Sequence, residues 1–121
     1  MRILVVDDDI VTQKILEYCL KDAGYDVKIA NNGDEASRLL QLWNPELLIT
    51  DVLMPHVNGI VLVSFIRNEL KLDIPCIVIS VLGQSDNVEK ALEVGATAYI
   101  VKPIDTAELL DLIAKYRNDI P

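Results

Sequence analysis

Cysteine and histidine are scarce in this chain, with two of the first and one of the second among 121 residues. Cys19 and Cys76 sit inside apolar periodic segments and join no CxxC pair or Cys/His cluster, so they read as small reduced core residues rather than zinc ligands. His56, directly after Met54-Pro55, reads as an exposed loop residue rather than a metal ligand or phosphohistidine. Basic residues are in the minority: 11 Lys and Arg against 19 Asp and Glu leave a formal charge of −8. Phosphate contacts need clustered cations, which argues against nucleic acid binding directly to this domain. Solubility accounts for most of that charge. Hydrophobic residues make up 51% of the chain, yet no run approaches the roughly 20 apolar residues that cross a bilayer. Met1-Arg2 leads straight into a strand-like run without signal-peptide organisation. A soluble, cytoplasmic product with no membrane partner is expected. A glycine-rich loop is also missing after the first apolar run, which disfavours nucleotide binding.

What is present is a series of apolar runs that end on reactive groups. ILVV runs into Asp7, Asp8 and Asp9; LLIT into Asp51; CIVI into Ser80; YIV into Lys102-Pro103. Only Val27 to Ala30 ends blandly, in Asn31-Asn32-Gly33. Helical periodicity fills the intervals. Ile10 to Lys21 carries Val11, Ile15, Cys19 and Leu16, Leu20 at helical spacings. Asn32 with Glu35 reads as a cap before Ala36, Leu39, Leu40 and Trp43, with Pro45 as the stop. Trp43 reads as a partly buried packing residue. Asn58-Gly59 opens a third helix with Val61, Leu62, Phe65, Ile66 and Leu70. Asp86 with Glu89 opens a fourth, closed by Gly95, and Asp105 with Glu108 a fifth through Leu109, Leu112 and Ile113.

Five βα units with short connections and continuous Val/Ile/Leu strands predict an α/β fold: a five-stranded parallel sheet between two helix layers. Right-handed crossovers and five units fit a doubly wound, flavodoxin-like order 2-1-3-4-5. The length suits a single domain, and no repeat or linker precedes the tail from Asn118 to Pro121. In that order the first and third strands are neighbours, and Asp7, Asp8 and Asp51 converge at the carboxyl edge, where open α/β sheets bind ligands.

Two carboxylates about 4 Å apart repel by roughly 4 kcal/mol at an effective dielectric of about 20. Three at one edge call for a cation, and an oxygen-only cluster suits Mg²⁺. Capping of the first helix could explain Asp9, but not Asp51 on another strand. A carboxylate beside Mg²⁺ can attack phosphorus, a reaction that needs mainly positioning and charge neutralisation. Lys102 supplies a fixed positive charge and Ser80 a hydroxyl donor.

ILVVDDD, LLITDVLMPHVNG, IVIS and GATAYIVKP resemble, in order and spacing, the receiver domain of two-component response regulators, over essentially the whole chain. The resemblance implies a receiver at 1–118, with 119–121 a tail or the start of a linker. It implies a phosphorylation-controlled switch rather than an enzyme, one that promotes its own phosphorylation and dephosphorylation. Asp51 would be the phosphoacceptor, with Mg²⁺ on Asp7, Asp8, Asp51 and the Leu53 backbone carbonyl. Ser80 and Lys102 would sense the phosphate, and Tyr99 would be the aromatic switch that turns inward with Ser80. The Lys102-Pro103 bond would be cis. A sensor histidine kinase or phosphotransfer protein would donate the phosphoryl group, and an output domain or protein partner would read the result.

Three positions depart from the family pattern. Val81 stands where a small residue usually follows the switch hydroxyl, and a β-branched side chain there would slow phosphorylation, autodephosphorylation or both. Ile104 replaces an aromatic residue, a change of packing. Ala98 lacks the acidic residue common in winged-helix regulators, which weakens the case for dimerisation through the fourth and fifth helices. Two other readings compete. A haloacid-dehalogenase-type phosphatase would use Asp7 as nucleophile, Asp9 as general acid, and Ser80 and Lys102 in its second and third motifs. It leaves the Asp51 segment unexplained, and no acidic pair follows Lys102. A degenerate receiver acting as an interaction module draws support from Val81 alone.

Overall fold

The structure is a computed structural model that describes residues 1–54, 58–81 and 85–117, with the side chains of Ser85 and Asp86 left out. Strands β1 (Arg2–Val6), β2 (Asp26–Ala30), β3 (Leu47–Asp51), β4 (Cys76–Ser80) and β5 (Ala98–Val101) alternate with helices α1 (Ile10–Asp22), α2 (Gly33–Leu42), α3 (Gly59–Asn68), α4 (Ser85–Glu93) and α5 (Thr106–Arg117). All strand pairs are parallel, in the order β2-β1-β3-β4-β5. The expected doubly wound α/β fold is the observed one.

The central strands are apolar on both faces because both faces are covered. Leu4, Val6, Leu48 and Val78 join Ala36, Leu40, Leu62 and Ile66 in one core layer. Ile3, Val5, Ile49, Ile77 and Ile79 join Leu16, Leu20, Leu109 and Ile113 in the other. Alternation along each strand therefore divides two cores instead of separating core from solvent. Only edge strand β2 shows a repeating exposed position, at Asp26 and Lys28.

Helix α1 corrects part of the sequence reading. Its buried face is Thr12, Gln13, Leu16 and Leu20, while Val11 and Ile15 are 65% and 47% exposed. The two apolar stripes lie about 100° apart on the helix, and only one can face the sheet. Cys19 shares the outer stripe and is half-buried, so of the two thiols only Cys76 is a core residue. Val61 on α3 is likewise exposed rather than packed.

The starts of α1, α2, α3 and α5 follow the capping signals, whereas α4 begins at Ser85 and takes in Asp86, which was expected to open it. Asp9 caps α1 through the Thr12 amide; Asn32 Oδ1 accepts the Glu35 amide at 2.9 Å; Asn58 Oδ1 accepts the Ile60 amide at 2.7 Å; Asp105 Oδ1 accepts the Glu108 amide at 3.1 Å. Gly95 ends α4 at φ 107°, where a side chain would be strained. Trp43 is half-buried against the first core layer, with the Lys28 ammonium 5.4 Å above its ring. Ile104 packs against the second layer, consistent with a packing role. The Lys102-Pro103 peptide is cis. His56, the Asp86 side chain and the 118–121 tail lie outside the described residues.

Candidate functional site

The register of four strands sets the carboxyl edge. Val6 on β1 pairs with Thr50 on β3, so the residues that follow, Asp7 and Asp51, emerge side by side. Asp51 in turn pairs with Ile79, one residue before Ser80, and Ser80 pairs with Val101, one residue before Lys102. The four reactive groups therefore come from four chain segments far apart in sequence. They share one edge because all the strand pairs are parallel, so every strand ends on the same side of the sheet.

One carboxylate oxygen from each of Asp7, Asp8 and Asp51 lies within 4.8 Å of the other two. Asp7 is fully buried, Asp51 is 7% exposed, and Asp8 faces solvent. The Lys102 ammonium bridges Asp7 Oδ2 and Asp51 Oδ2, at 3.3 Å from each. Burial is the largest influence on Asp7 and holds its carboxyl above the usual range. The Asp51 charge adds to this, while the Asp9 amide and Lys102 work against it. Burial alone would lower the Lys102 ammonium, but Asp51 and Asp7 outweigh it and raise its pKa above the ordinary value. Asp9 is different. Its carboxylate bonds the Thr12 hydroxyl at 2.7 Å, which holds its pKa below the usual range. It caps a helix and does not join the cluster.

The Leu53 amide stands 3.4 Å from Asp51 Oδ1, and the Gly59 amide donates to the Val52 carbonyl at 2.9 Å. Ser80 is fully buried at the end of β4. Tyr99 is half-buried against the first core layer, next to Val78. Val81 is 63% exposed. Three oxygen donors, one of them open to water, fit a hard divalent cation such as Mg²⁺ better than a sulfur- and nitrogen-seeking metal.

The structure thus brings together Asp7, Asp8, Asp51 and Lys102, with Ser80 at the same edge. Two contributors escaped the sequence reading. Gly59 was legible as a helix start, but a Cβ there would stand 1.9 Å from the Asp51 carbonyl oxygen. Gln13 is nearly buried and donates to both the Asp7 carbonyl and Asn31. The signal for Gln13 was available: it is a polar residue in the same stripe as Leu16 and Leu20.

Known proteins share this arrangement of strands. The family model described as the response regulator receiver domain matches residues 3–114. The chain is 42% identical over 108 residues to the probable transcriptional regulator ycf27 of Cyanophora paradoxa, covering 89% of this chain and 44% of that protein. It is 38% identical over 117 residues to an uncharacterised 14.6 kDa protein of Leptolyngbya boryana, covering 96% of this chain and 89% of that one. A Francisella response regulator receiver domain superposes with a TM-score of 0.92 at 27% identity, over 99% of this chain and 98% of the other. The chain thus spans less than half of one of these relatives and most of the other. Since the matched segment takes in every strand and most of the fifth helix, the chain belongs to the response regulator receiver domains of two-component systems.

Proposed function

We propose that residues 1–118 form a cytoplasmic phosphorylation switch in which Asp51 accepts a phosphoryl group from a sensor histidine kinase or a phosphotransfer protein. A carboxylate oxygen of Asp51 would bond to phosphorus as the bond from phosphorus to the donor nitrogen breaks. The observation that carries this reading is the Lys102 ammonium shared at 3.3 Å between Asp51 and Asp7. It puts a fixed cation beside the one nearly buried carboxylate that ends a central strand. Asp7, Asp8 and Asp51, with the Leu53 carbonyl, would hold Mg²⁺, which when bound neutralises charge on the phosphoryl oxygens. Lys102 can turn from Asp7 to a phosphoryl oxygen without leaving Asp51. The Ser80 hydroxyl would bond another, and Tyr99 would follow it inward. The domain would thus promote its own phosphorylation and dephosphorylation without turning over a separate substrate.

The output lies with another domain or partner. For a chain that matches less than half of a probable transcriptional regulator, a DNA-binding output outside these residues is the corresponding proposal. The charge of −8 speaks against nucleic acid contact by the domain itself. Intact-protein mass after incubation with a small phosphodonor and Mg²⁺ tests the core of the reading. One phosphoryl adduct, absent from Asp51→Asn and from a metal-free sample, is the expected result. An adduct that survives Asp51→Asn would overturn it and restore the alternative with Asp7 as nucleophile.

A further inference from the structure

The Asp8 carboxylate is the exposed member of the acidic cluster, and among the described residues no hydrogen bond holds it. Its aim depends on the backbone that carries it. The Asp7–Asp8 peptide is held from behind by Gln13, whose Nε2 donates to the Asp7 carbonyl and, at 2.7 Å, to Asn31 Oδ1. Both hydrogens of the amide are used. Asn31 is fixed in turn: its Nδ2 and its backbone amide both donate to Glu35 Oε2, at 3.1 Å and 2.9 Å. An ionised carboxylate only accepts, so Glu35 sets the Asn31 amide, Asn31 presents its oxygen to Gln13, and Gln13 must present hydrogens to Asp7. The relay has one direction throughout, from the first turn of α2 to the end of β1.

We propose that Gln13 is a positioning residue for cation binding, fixing the Asp7–Asp8 peptide so that Asp8 is aimed at the oxygens of Asp7 and Asp51. This rests on the reading that the acidic cluster is the Mg²⁺ site. The side chain itself is nearly buried in the α1 stripe that packs on the sheet, and so is largely screened from solvent. Groups that orient metal ligands from behind commonly change affinity by about 10- to 100-fold when removed.

The test is calorimetric titration of the unphosphorylated protein with Mg²⁺, beside its unfolding transition without metal. Gln13→Met keeps the length and removes the donors, and its Kd for Mg²⁺ should rise by about tenfold. Asn31→Ala, at an exposed turn position, should raise it in the same direction and by less. Leu16→Val, one turn further along the same stripe, is the packing control and should leave Kd unchanged at comparable loss of stability. Affinities within about twofold of the parent for both Gln13→Met and Asn31→Ala would overturn the assignment. So would a Leu16→Val effect as large as that of Gln13→Met. Asp8→Asn distinguishes the underlying reading: if it binds Mg²⁺ like the parent, the cation sits elsewhere, and both readings fall together.

Discussion

Replacing Lys102 by methionine keeps the apolar stem and deletes the charge that two carboxylates share. Each Lys102–carboxylate contact at 3.3 Å is worth about 5 kcal/mol of attraction at an effective dielectric of about 20. Each pair among the three carboxylates, within 4.8 Å, costs at least about 3.5 kcal/mol on the same scale. Two attractions and three repulsions thus nearly cancel, and loss of the ammonium tips the balance. Part of the loss is recovered because the ammonium no longer has to be dehydrated, and Asp8 opens the cluster to water. A deficit of about 3 kcal/mol at pH 7 without metal is expected, at the lower end for a broken buried pair.

The pH dependence has a definite sign. Asp7 already sits above its ordinary pKa, chiefly through burial, and without Lys102 it should move higher. A carboxyl raised in the folded state contributes stability that is fully present below its unfolded pKa and lost as pH rises through its folded value. The deficit of Lys102→Met should therefore shrink as pH falls towards about 4 and grow towards neutrality, and Mg²⁺ should reduce it at pH 7, because the folded variant, with no ammonium competing for Asp7 and Asp51, binds the cation more tightly than the parent does. Urea unfolding at both pH values, with and without Mg²⁺, measures all of this. A deficit below about 1 kcal/mol, or one indifferent to both pH and Mg²⁺, would refute the electrostatic account.

Gly59→Ala should destabilise the fold by more than about 2 kcal/mol in denaturant melts and slow phosphoryl uptake, since its Cβ would strike the Asp51 carbonyl at 1.9 Å. Val81→Ala should speed phosphorylation, loss of the phosphoryl group or both, because the exposed valine is removed from beside Ser80; time courses of intact mass would show it. Burial pushes the Cys76 thiol up to about 11, while Cys19 is raised mainly by burial and also by Asp22, yet remains half-exposed. Alkylation of the native protein at pH 8 should therefore mark Cys19 alone, and after unfolding both thiols, as read by peptide mass.

The sequence by itself determined the βα alternation, the strand order and the capped starts of α1, α2, α3 and α5. These depend on local rules: apolar runs buried on two faces, side-chain caps directly before a helix, and a fixed crossover hand. It also marked Asp7, Asp8, Asp51, Ser80 and Lys102, because each ends a strand or follows within two residues of its end, and register does the rest. Which stripe of α1 faces the sheet was left to the tertiary structure, since Val11 and Ile15 look as apolar as Leu16 and Leu20 until a neighbour covers one pair. The same holds for Cys19. The second layer of the site was decided there as well. Gln13 gains its role from Asn31 across the β1–β2 edge, and Gly59 from the Asp51 carbonyl beneath α3. Hydrogen bonds and close approaches between distant segments leave no periodic trace in a chain. They exist only once packing has fixed the distances.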